Sequence, residues 1–368
     1  MSYNHIIKTC DERVLYFFIK DGLCVKDLLI PHDKYKMIFK EAVSDFYVTD
    51  TGNGEVGIIC QDESGSIIFL REKNGSYLKT TLLNNRSKLA YEKNFKLFKH
   101  NNWISLSYII NYQGNNILSF QIIDNEEDAP IVVDYISGVE YFAFTDISND
   151  IYYFYNKEGI FGYKIYKWGK KDFCEFEKLG DGDLISVLSD KKDTYYIIYE
   201  NSNKFYLKVL KKQEFEFSEE NFEIDFIKNG DFINMIIEKD VLWITVDRNG
   251  FTFGKKCDME NFEFSSSYNF ANEGNLINYN ITLNEKDYIM EKCFGYSVNM
   301  RPKLILYKDL LNTNKVLKPK IEIEDEEEFN EFLKIEKEKE SENKIEITKL
   351  GIRLKELEEK IKKIEEKL

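Results

Sequence analysis

The sequence predicts an all-β fold built from a repeated four-stranded unit, followed by a C-terminal α-helix that forms a coiled coil. Three observations support this prediction. Short aromatic and β-branched runs are separated by turn residues. The pattern recurs roughly every 43 to 50 residues, and a heptad of Leu and Ile occupies the last part of the chain.

The clearest repeat unit spans residues 140–180. It holds four runs of strand-forming residues, at Tyr141–Thr145, 151–155, 161–166 and 173–177, with Gly, Asn and Asp between them. Runs of this length between such turn residues are typical of antiparallel strands joined by tight turns. The unit is therefore predicted to be one four-stranded antiparallel sheet.

The turn between the second and third strands identifies the other repeats. A tight hairpin turn requires positive φ, which Gly and Asn adopt at low cost. Such turn residues recur at Gly22, Gly65, Gly114, Gly159, Asn203, Gly250 and Asn299. One unit cannot bury both faces of its sheet, whereas units stacked around an axis can. Seven turns predict a seven-bladed β-propeller of four-stranded antiparallel blades.

The position of each strand in its blade follows from polarity. Apolar runs before the hairpins, at 43–48, 95–98, 184–188, 232–237 and 277–283, are expected to line the central channel. More polar runs after them, at 77–83, 131–136 and 215–217, are expected to form outer strands. Residues 316–323 are the preferred outer strand of the last blade, and a crossover of residues 4–9 is the alternative.

The chain resembles known propeller families in architecture only. It has no Trp-Asp dipeptide at blade ends, as beta-transducin-type repeats have, and no Gly-Gly pair of the kelch type. It also lacks the S-x-D-x-G-x-T-W box of sialidases. The resemblance is to a divergent seven-bladed propeller, and it implies no functional residues.

Charge and composition restrict the partners. The formal net charge is −14; residues 322–368 carry 17 acidic and 11 basic side chains, a net of −6, which leaves −8 for the rest. Neither part is basic, so we expect no binding to nucleic acid or to a membrane surface, and a protein or carbohydrate partner instead. No cofactor is indicated.

The remaining composition bears on compartment and source. There is no basic segment followed by a long apolar run at the N-terminus, which predicts a cytoplasmic protein. Six well-separated cysteines are expected to be reduced and mostly buried. Abundant Ile, Lys, Asn and Tyr are typical of an AT-rich genome, such as that of a low-GC bacterium or its phage.

The C-terminal segment has a different composition from residues 1–323, which form the predicted propeller. Residues 324–346 are predicted to be a charged helical linker, and residues 347–368 a coiled-coil oligomerisation segment. Its a and d positions contain only Leu and Ile. They are Ile347, Leu350, Leu354, Leu357, Ile361, Ile364 and Leu368.

The flanking positions of this heptad favour parallel helices. Arg353 and Lys360 fall at g, and Glu358 and Glu365 at e, which pairs opposite charges across a parallel interface. Residues 353–358 resemble the R-h-x-x-h-E signature of short parallel trimeric coiled coils. A homotrimer is favoured over a dimer. The alternatives are a weak, concentration-dependent oligomer and a helix that folds back onto the propeller.

No catalytic residue or metal ligand is assigned. His5, His32 and His100 lack the spacing of a metal site or catalytic triad. Candidate ligand contacts are His100, Trp103, Tyr112 and Trp168, although such aromatic residues more often fill space between blades. A sialidase-like arginine cluster would draw on Arg13, Arg71, Arg86, Arg248 and Arg301, which are more often ion-paired at the surface.

Two loops contain clustered oxygen atoms. Residues 50–55, with Asp50, Asn53 and Glu55, and residues 181–183, with two Asp, could hold Ca²⁺, although simple turns explain the same residues. Two functions are therefore open. The first is a non-enzymatic oligomeric recognition or scaffold protein, in which the coiled coil gives multivalent binding. The alternative is a propeller hydrolase with its site at one mouth of the channel.

Overall fold

The computed structural model describes most of residues 4–304. The gaps are residues 31–33, 53, 86–90, 101–102, 124–128, 191–193, 214–216, 239–240, 260–261, 270–276, 283–287 and 299–300. The chain divides into two units, Met1–Leu311 and Asn312–Leu368. The second unit lies outside the described residues. The proposed closing strand 316–323, the linker and the coiled coil all fall there and stay predictions.

The described residues form 29 β-strands. They are β1 Asn4–Lys8, β2 Val14–Ile19, β3 Leu23–Asp27, β4 Lys36–Phe39, β5 Ala42–Gly52, β6 Glu55–Asp62, β7 Ile67–Lys73, β8 Ser76–Leu83, β9 Lys96–His100, β10 Trp103–Tyr112, β11 Asn115–Ile122, β12 Ile131–Ile136, β13 Tyr141–Thr145, β14 Ile151–Lys157, β15 Ile160–Lys167, β16 Asp172–Phe173, β17 Glu177–Asp181, β18 Asp183–Ser189, β19 Thr194–Asn201, β20 Lys204–Lys212, β21 Phe217–Ile224, β22 Phe232–Glu238, β23 Val241–Arg248, β24 Phe251–Cys257, β25 Tyr268–Asn269, β26 Ile277–Thr282, β27 Tyr288–Met290, β28 Lys292–Val298 and β29 Arg301–Leu304.

These strands form six sheets. Sheet 1 has seven strands in the order β29-β28-β26-β1-β2-β3-β4. Sheets 2 to 6 follow the chain: β5 to β8, β9 to β12, β13 to β17, β18 to β21, and β22 to β25 with β27. The sequence predicted seven separate four-stranded blades. The structure instead has five separate sheets of four or five strands and one larger sheet.

Sheet 1 is larger because the N-terminal strand pairs with a strand near the end of the described chain. β1 is antiparallel to β2 and parallel to β26, with His5 opposite Asn280 and Ile7 opposite Thr282. Residues 4–9 are therefore not an outer strand, and that alternative for ring closure is wrong. The physical reason is their burial: Asn4, His5, Ile6 and Ile7 are all buried, which suits an interior strand.

Hydrophobic packing links the six sheets into a closed cycle. Each of six core clusters contains buried side chains from two neighbouring sheets, in the order 1–2, 2–3, 3–4, 4–5, 5–6 and 6–1. In the last of these, Trp243 of sheet 6 packs among Tyr16 and Tyr279 of sheet 1. Cyclic packing of antiparallel sheets with their first strands at the centre is a β-propeller.

The predicted turns are confirmed where the structure describes them, and so are the inner strands at 43–48, 95–98 and 184–188 and the outer strands at 77–83 and 131–136. Residues 232–237 form β22, but they are not the innermost strand of sheet 6, because β27 pairs with β22 on its inner side. Gly65, Gly114, Gly159 and Gly250 have φ values of 79°, 80°, 80° and 86°, and Asn203 and Gly22 also have positive φ. Asn299 lies outside the described residues. Second strands are the most buried, and outer strands such as β8 are largely exposed.

The repeat unit at 140–180 differs from its prediction in the fourth strand. Two short strands, β16 and β17, both pair with β15, and residues 174–176 separate them. The register of β17 shifts at Gly162, where an added Cβ would lie 2.1 Å from the carbonyl oxygen of Glu177. Glycine at this position allows the two backbones to approach. The break between β16 and β17 lies further along β15, where the three residues 174–176 stand opposite the two residues Lys164 and Ile165.

Candidate functional site

A cavity of about 560 Å³ lies where the first strands of the sheets converge. We call it the mouth cavity. All six sheets contribute to it, through the ends of their inner strands and the turns that follow. Its lining residues are Cys10, Tyr47, Thr49, Asp50, Leu97, Phe98, Lys99, Ala143, Phe144, Thr145, Asp146, Ile147, Leu188, Ser189, Ile281, Thr282, Ile289, Met290 and Glu291. A cavity of this size at the axis suits a small ligand or a short peptide segment.

Asp50 is one of three acidic residues that line the mouth cavity. Its two carboxylate oxygens accept hydrogen bonds from the backbone N–H groups of Cys10, at 2.7 Å, and Gly52, at 2.6 Å. These bonds fix the turn after β5 against the loop after β1. The carboxylate therefore holds the rim of the cavity in place, and both of its oxygens are occupied.

The other two acidic residues form ion pairs. Asp146 lies 2.9 Å from the Lys212 ammonium and also accepts the backbone N–H groups of Ser148 and Asp150. Glu291 lies 2.5 Å from the ammonium of Lys96, which is almost fully buried. Each carboxylate of the cavity thus has a structural partner, and none is positioned as an unpaired acid or base.

Lys99 differs from these groups because its charge is not paired. Its side chain is exposed at the cavity rim and makes no hydrogen bond or ion pair with another described residue. The ammonium lies over Gly52, only 2.6 Å from where a Cβ of that residue would stand. Gly52 has φ +98°, so glycine both accommodates the turn and leaves room for the ammonium.

His5 extends the polar lining below the cavity. Its Nε2 lies 2.8 Å from Thr282 Oγ1, and its ring packs edge-on against Tyr47 at 4.8 Å between ring centroids. Burial, together with the Lys96 charge, lowers the pKa of His5 to about 3. His5 is therefore neutral at physiological pH. Sequence reasoning gave it no role, because no local signal shows that β1 pairs with a strand near residue 280.

A second, small cavity of about 30 Å³ continues along the axis beyond Tyr47. Lys96, Tyr141 and Lys292 are among its lining residues. Burial raises the pKa of Tyr141 well above its usual value, and its hydroxyl has no hydrogen-bond partner among the described residues. Asp45 also lines it, and burial raises the pKa of this carboxyl to about 6. This space holds at most a water molecule or two.

The predicted ligand contacts lie outside the mouth cavity. His100 and Trp168 do meet: their rings stack at 4.1 Å with an interplanar angle of 16°. His100 is fully buried, its Nε2 lies 2.8 Å from Ser105 Oγ, and burial lowers its pKa to about 4. Trp103 and Tyr112 are exposed at opposite ends of β10. As ligand contacts, these four residues stay predictions.

The arginines do not converge on the cavity. Arg13 pairs with Asp11 and Glu72, each at 3.1 Å. Arg248 pairs with Asp231 at 2.7 Å. Arg71 packs beside the ring of Phe69. The position of Arg86 and the side chain of Arg301 are outside the described part of the chain.

The two acidic loops form turns. Asp50 caps backbone N–H groups, as described above, and Asp181 pairs with Lys178 at 2.6 Å. Within the described residues, no group of three or more His, Cys, Asp or Glu side chains is arranged to hold a metal ion. No helix there has the length and apolar character needed to cross a membrane. All six cysteines are free thiols, of which Cys10 is exposed.

Comparisons with known proteins bear on the fold. No protein-family model matches the sequence, and no curated protein matches it. A Mycobacterium tuberculosis puromycin-hydrolyzing peptidase has a similar structure, with a TM-score of 0.52 and 8% identity over 82% of this chain. The chain spans about half of the peptidase, 52% of its length. At this identity the likeness concerns the fold alone, and it supports the β-propeller architecture.

Two further solved structures are more distant. The WD40 domain of SCAP from fission yeast has a TM-score of 0.45 and 6% identity, covering 78% of this chain and 83% of its own. A mutant of the Aleuria aurantia lectin AAL in complex with Fucalpha1-6GlcNAc has a TM-score of 0.44 and 6% identity, covering 72% of this chain and 95% of its own.

Proposed function

We propose that the protein is a non-enzymatic recognition protein whose partner binds in the mouth cavity. The observation that carries this proposal is that each carboxylate lining the cavity already has a hydrogen-bond or ion-pair partner. Asp50, Asp146 and Glu291 are each held by backbone N–H groups or a lysine, so the cavity offers a shaped, partly apolar space without an unpaired acid or base. Binding requires such a space; hydrolysis requires in addition a poised reactive group.

The alternative of a propeller hydrolase is less well supported. Acidic side chains do converge on the cavity, as that hypothesis requires. However, general acid–base catalysis needs a group whose proton can move at the working pH. Asp146 and Glu291 are each held in an ion pair with a lysine, and no arginine is among the described residues that line the cavity. Recognition remains the better-supported function.

The finer architecture is part of the same proposal. Sheet 1 would comprise two blades, one from β1 to β4 and one from β26, β28 and β29, joined through the parallel pairing of β1 with β26. Counted in this way, the propeller has seven blades. Free thiols at all six cysteines suit a reducing, cytoplasmic compartment.

Assembly would multiply the binding sites. The heptad at residues 347–368 is proposed to form a parallel homotrimer, with Arg353 and Lys360 facing Glu358 and Glu365 of the neighbouring helix. Three cavities on one assembly convert weak single contacts into avid binding. The apolar part of the cavity lining favours a protein partner over a carbohydrate.

The test is a binding screen with a variant that fills the cavity. Full-length protein, Thr145→Trp and Thr80→Trp are applied to peptide and glycan arrays. Thr145 lines the cavity, whereas Thr80 is exposed on the outer strand β8 and serves as the matched control. We expect binding that T145W abolishes and T80W retains. Binding that survives in T145W would refute the location of the site, and turnover of an array ligand would refute the non-enzymatic assignment.

A further inference from the structure

The unpaired cation at the rim indicates what the mouth cavity binds. The ammonium of Lys99 has three donors and no acceptor among the described residues. Asp50, an acidic residue of the same rim, accepts the N–H groups of Cys10 and Gly52 and forms no ion pair with a described lysine or arginine. Because the side chain is exposed, the ammonium is hydrated in the free protein, and a ligand with an anionic group would replace this water with a charge-assisted hydrogen bond.

The turn after β13 indicates that the ligand also contains an apolar group. Ile147 lines the mouth cavity with 80% of its surface exposed. The turn that carries it is held by hydrogen bonds from Ser148 and Asp150 to the Asp146 carboxylate. An isoleucine held in this way at a cavity rim offers an apolar contact that no other described part of the chain covers.

The wall of the cavity continues this apolar surface. Phe144, Leu188 and Met290 line it and are buried, so they add an ordered apolar edge of small exposed area to the contact with Ile147. The lysines that neutralise Asp146 and Glu291 also remove attraction for a cationic ligand. Recognition therefore combines an apolar body with one negative charge.

We propose that the mouth cavity binds an apolar group that carries a single carboxylate, with the carboxylate on Lys99 and the apolar body against Ile147 and the wall. This inference rests on the proposed recognition function and names its ligand chemistry. Two sources share the chemistry: the C-terminal end of an apolar peptide, and a free organic acid such as an arylalkanoate. A charge-assisted hydrogen bond at the rim fixes the orientation of either one.

The experiment is isothermal titration of the full-length protein with matched pairs of ligands. One pair is 4-phenylbutyrate and 4-phenylbutanol; the other is the tetrapeptide Ala-Val-Leu-Phe with a free carboxylate and with an amidated C-terminus. We expect each carboxylate to bind about tenfold or more tightly than its neutral counterpart, as is typical of a hydrogen bond to a charged group. The relative affinity of the acid and the peptide identifies the source.

The role of Lys99 is tested with Lys99→Met and the control Lys170→Met, an exposed lysine outside the cavity. The preference for the carboxylate should disappear in K99M and persist in K170M. A preference that survives in K99M, or equal binding of the neutral ligands by the wild-type protein, would overturn the inference. If none of the four ligands binds, the inference is also wrong, and the array result with T145W then decides separately whether the cavity is a binding site.

Discussion

Replacing Glu291 by Gln removes the one carboxylate that, within the described residues, is paired with the buried ammonium of Lys96. The Lys96 side chain is 10% exposed and Glu291 is 26% exposed, with 2.5 Å between nitrogen and oxygen. Breaking a buried ion pair costs about 3–5 kcal/mol, because the remaining charge has neither water nor a partner. The mouth cavity admits water near Glu291, so we expect a loss of about 3 kcal/mol in the free energy of unfolding, the lower end of that range.

The assay is urea denaturation followed by tryptophan fluorescence and by circular dichroism, which must give coincident transitions. Lys96→Met and the double variant complete a mutant cycle with Glu291→Gln. The double variant should be more stable than E291Q, because it no longer contains an uncompensated ammonium. The matched control is Glu223→Gln in the exposed pair with Lys204, which should change stability far less because both charges are solvated.

The reasoning would be refuted if E291Q cost no more than E223Q. It would also be refuted if the mutant cycle showed no coupling between Lys96 and Glu291. Either result would mean that water from the mouth cavity solvates the Lys96 ammonium. The ion pair with Glu291 would then not neutralise the charge of the cavity lining.

Three further predictions concern a hairpin turn, His100 and the C-terminal segment. Gly159→Val should destabilise the protein by about 1–2 kcal/mol, since φ is +80° there. Gly169→Val should cost less, because Gly169 is not among the residues with positive φ, while an added Cβ has open space at both positions; urea midpoints compare the two variants. The folded state holds the pKa of His100 at about 4, below its unfolded value of 6.5. The unfolded state therefore binds more protons on acidification, and stability falls from pH 7 to pH 5. His100→Gln should reduce this fall by about 2 kcal/mol, and an unchanged fall would contradict the assignment. Light scattering at several concentrations should show a trimer for the full chain and a monomer for a version ending at Ile323; two monomers would contradict the coiled coil.

The repeated hairpins could be predicted because their signals are local. Residues such as Gly114 and Gly159 mark turns that need positive φ, and strand-forming runs flank them on both sides. The pairing of β1 with β26 could not be predicted in the same way. It joins His5 to Asn280, and no pattern within either segment specifies a partner so distant in the chain. The break in the fourth strand of sheet 4 comes from one extra residue at 174–176 relative to β15, which periodicity does not reveal.

The site was harder to predict than the fold because its residues come from different sheets. Lys99 lies on β9 and Gly52 on β5, and each looks like an ordinary strand end in the sequence. Only their placement around one axis brings the Lys99 ammonium over Gly52, where it pairs with no other residue in the described part of the chain. In contrast, His100 and Trp168 looked suited to ligand binding, and the structure stacks them against each other.

The most direct test of this account is a crystal structure of the full-length protein grown with 4-phenylbutyrate. We predict electron density for the ligand in the mouth cavity, with its carboxylate within hydrogen-bonding distance of Lys99 Nζ and its ring against Ile147. A structure in which the ligand lies elsewhere, or in which side chains fill the cavity, would contradict the central claim that this end of the channel is the recognition site.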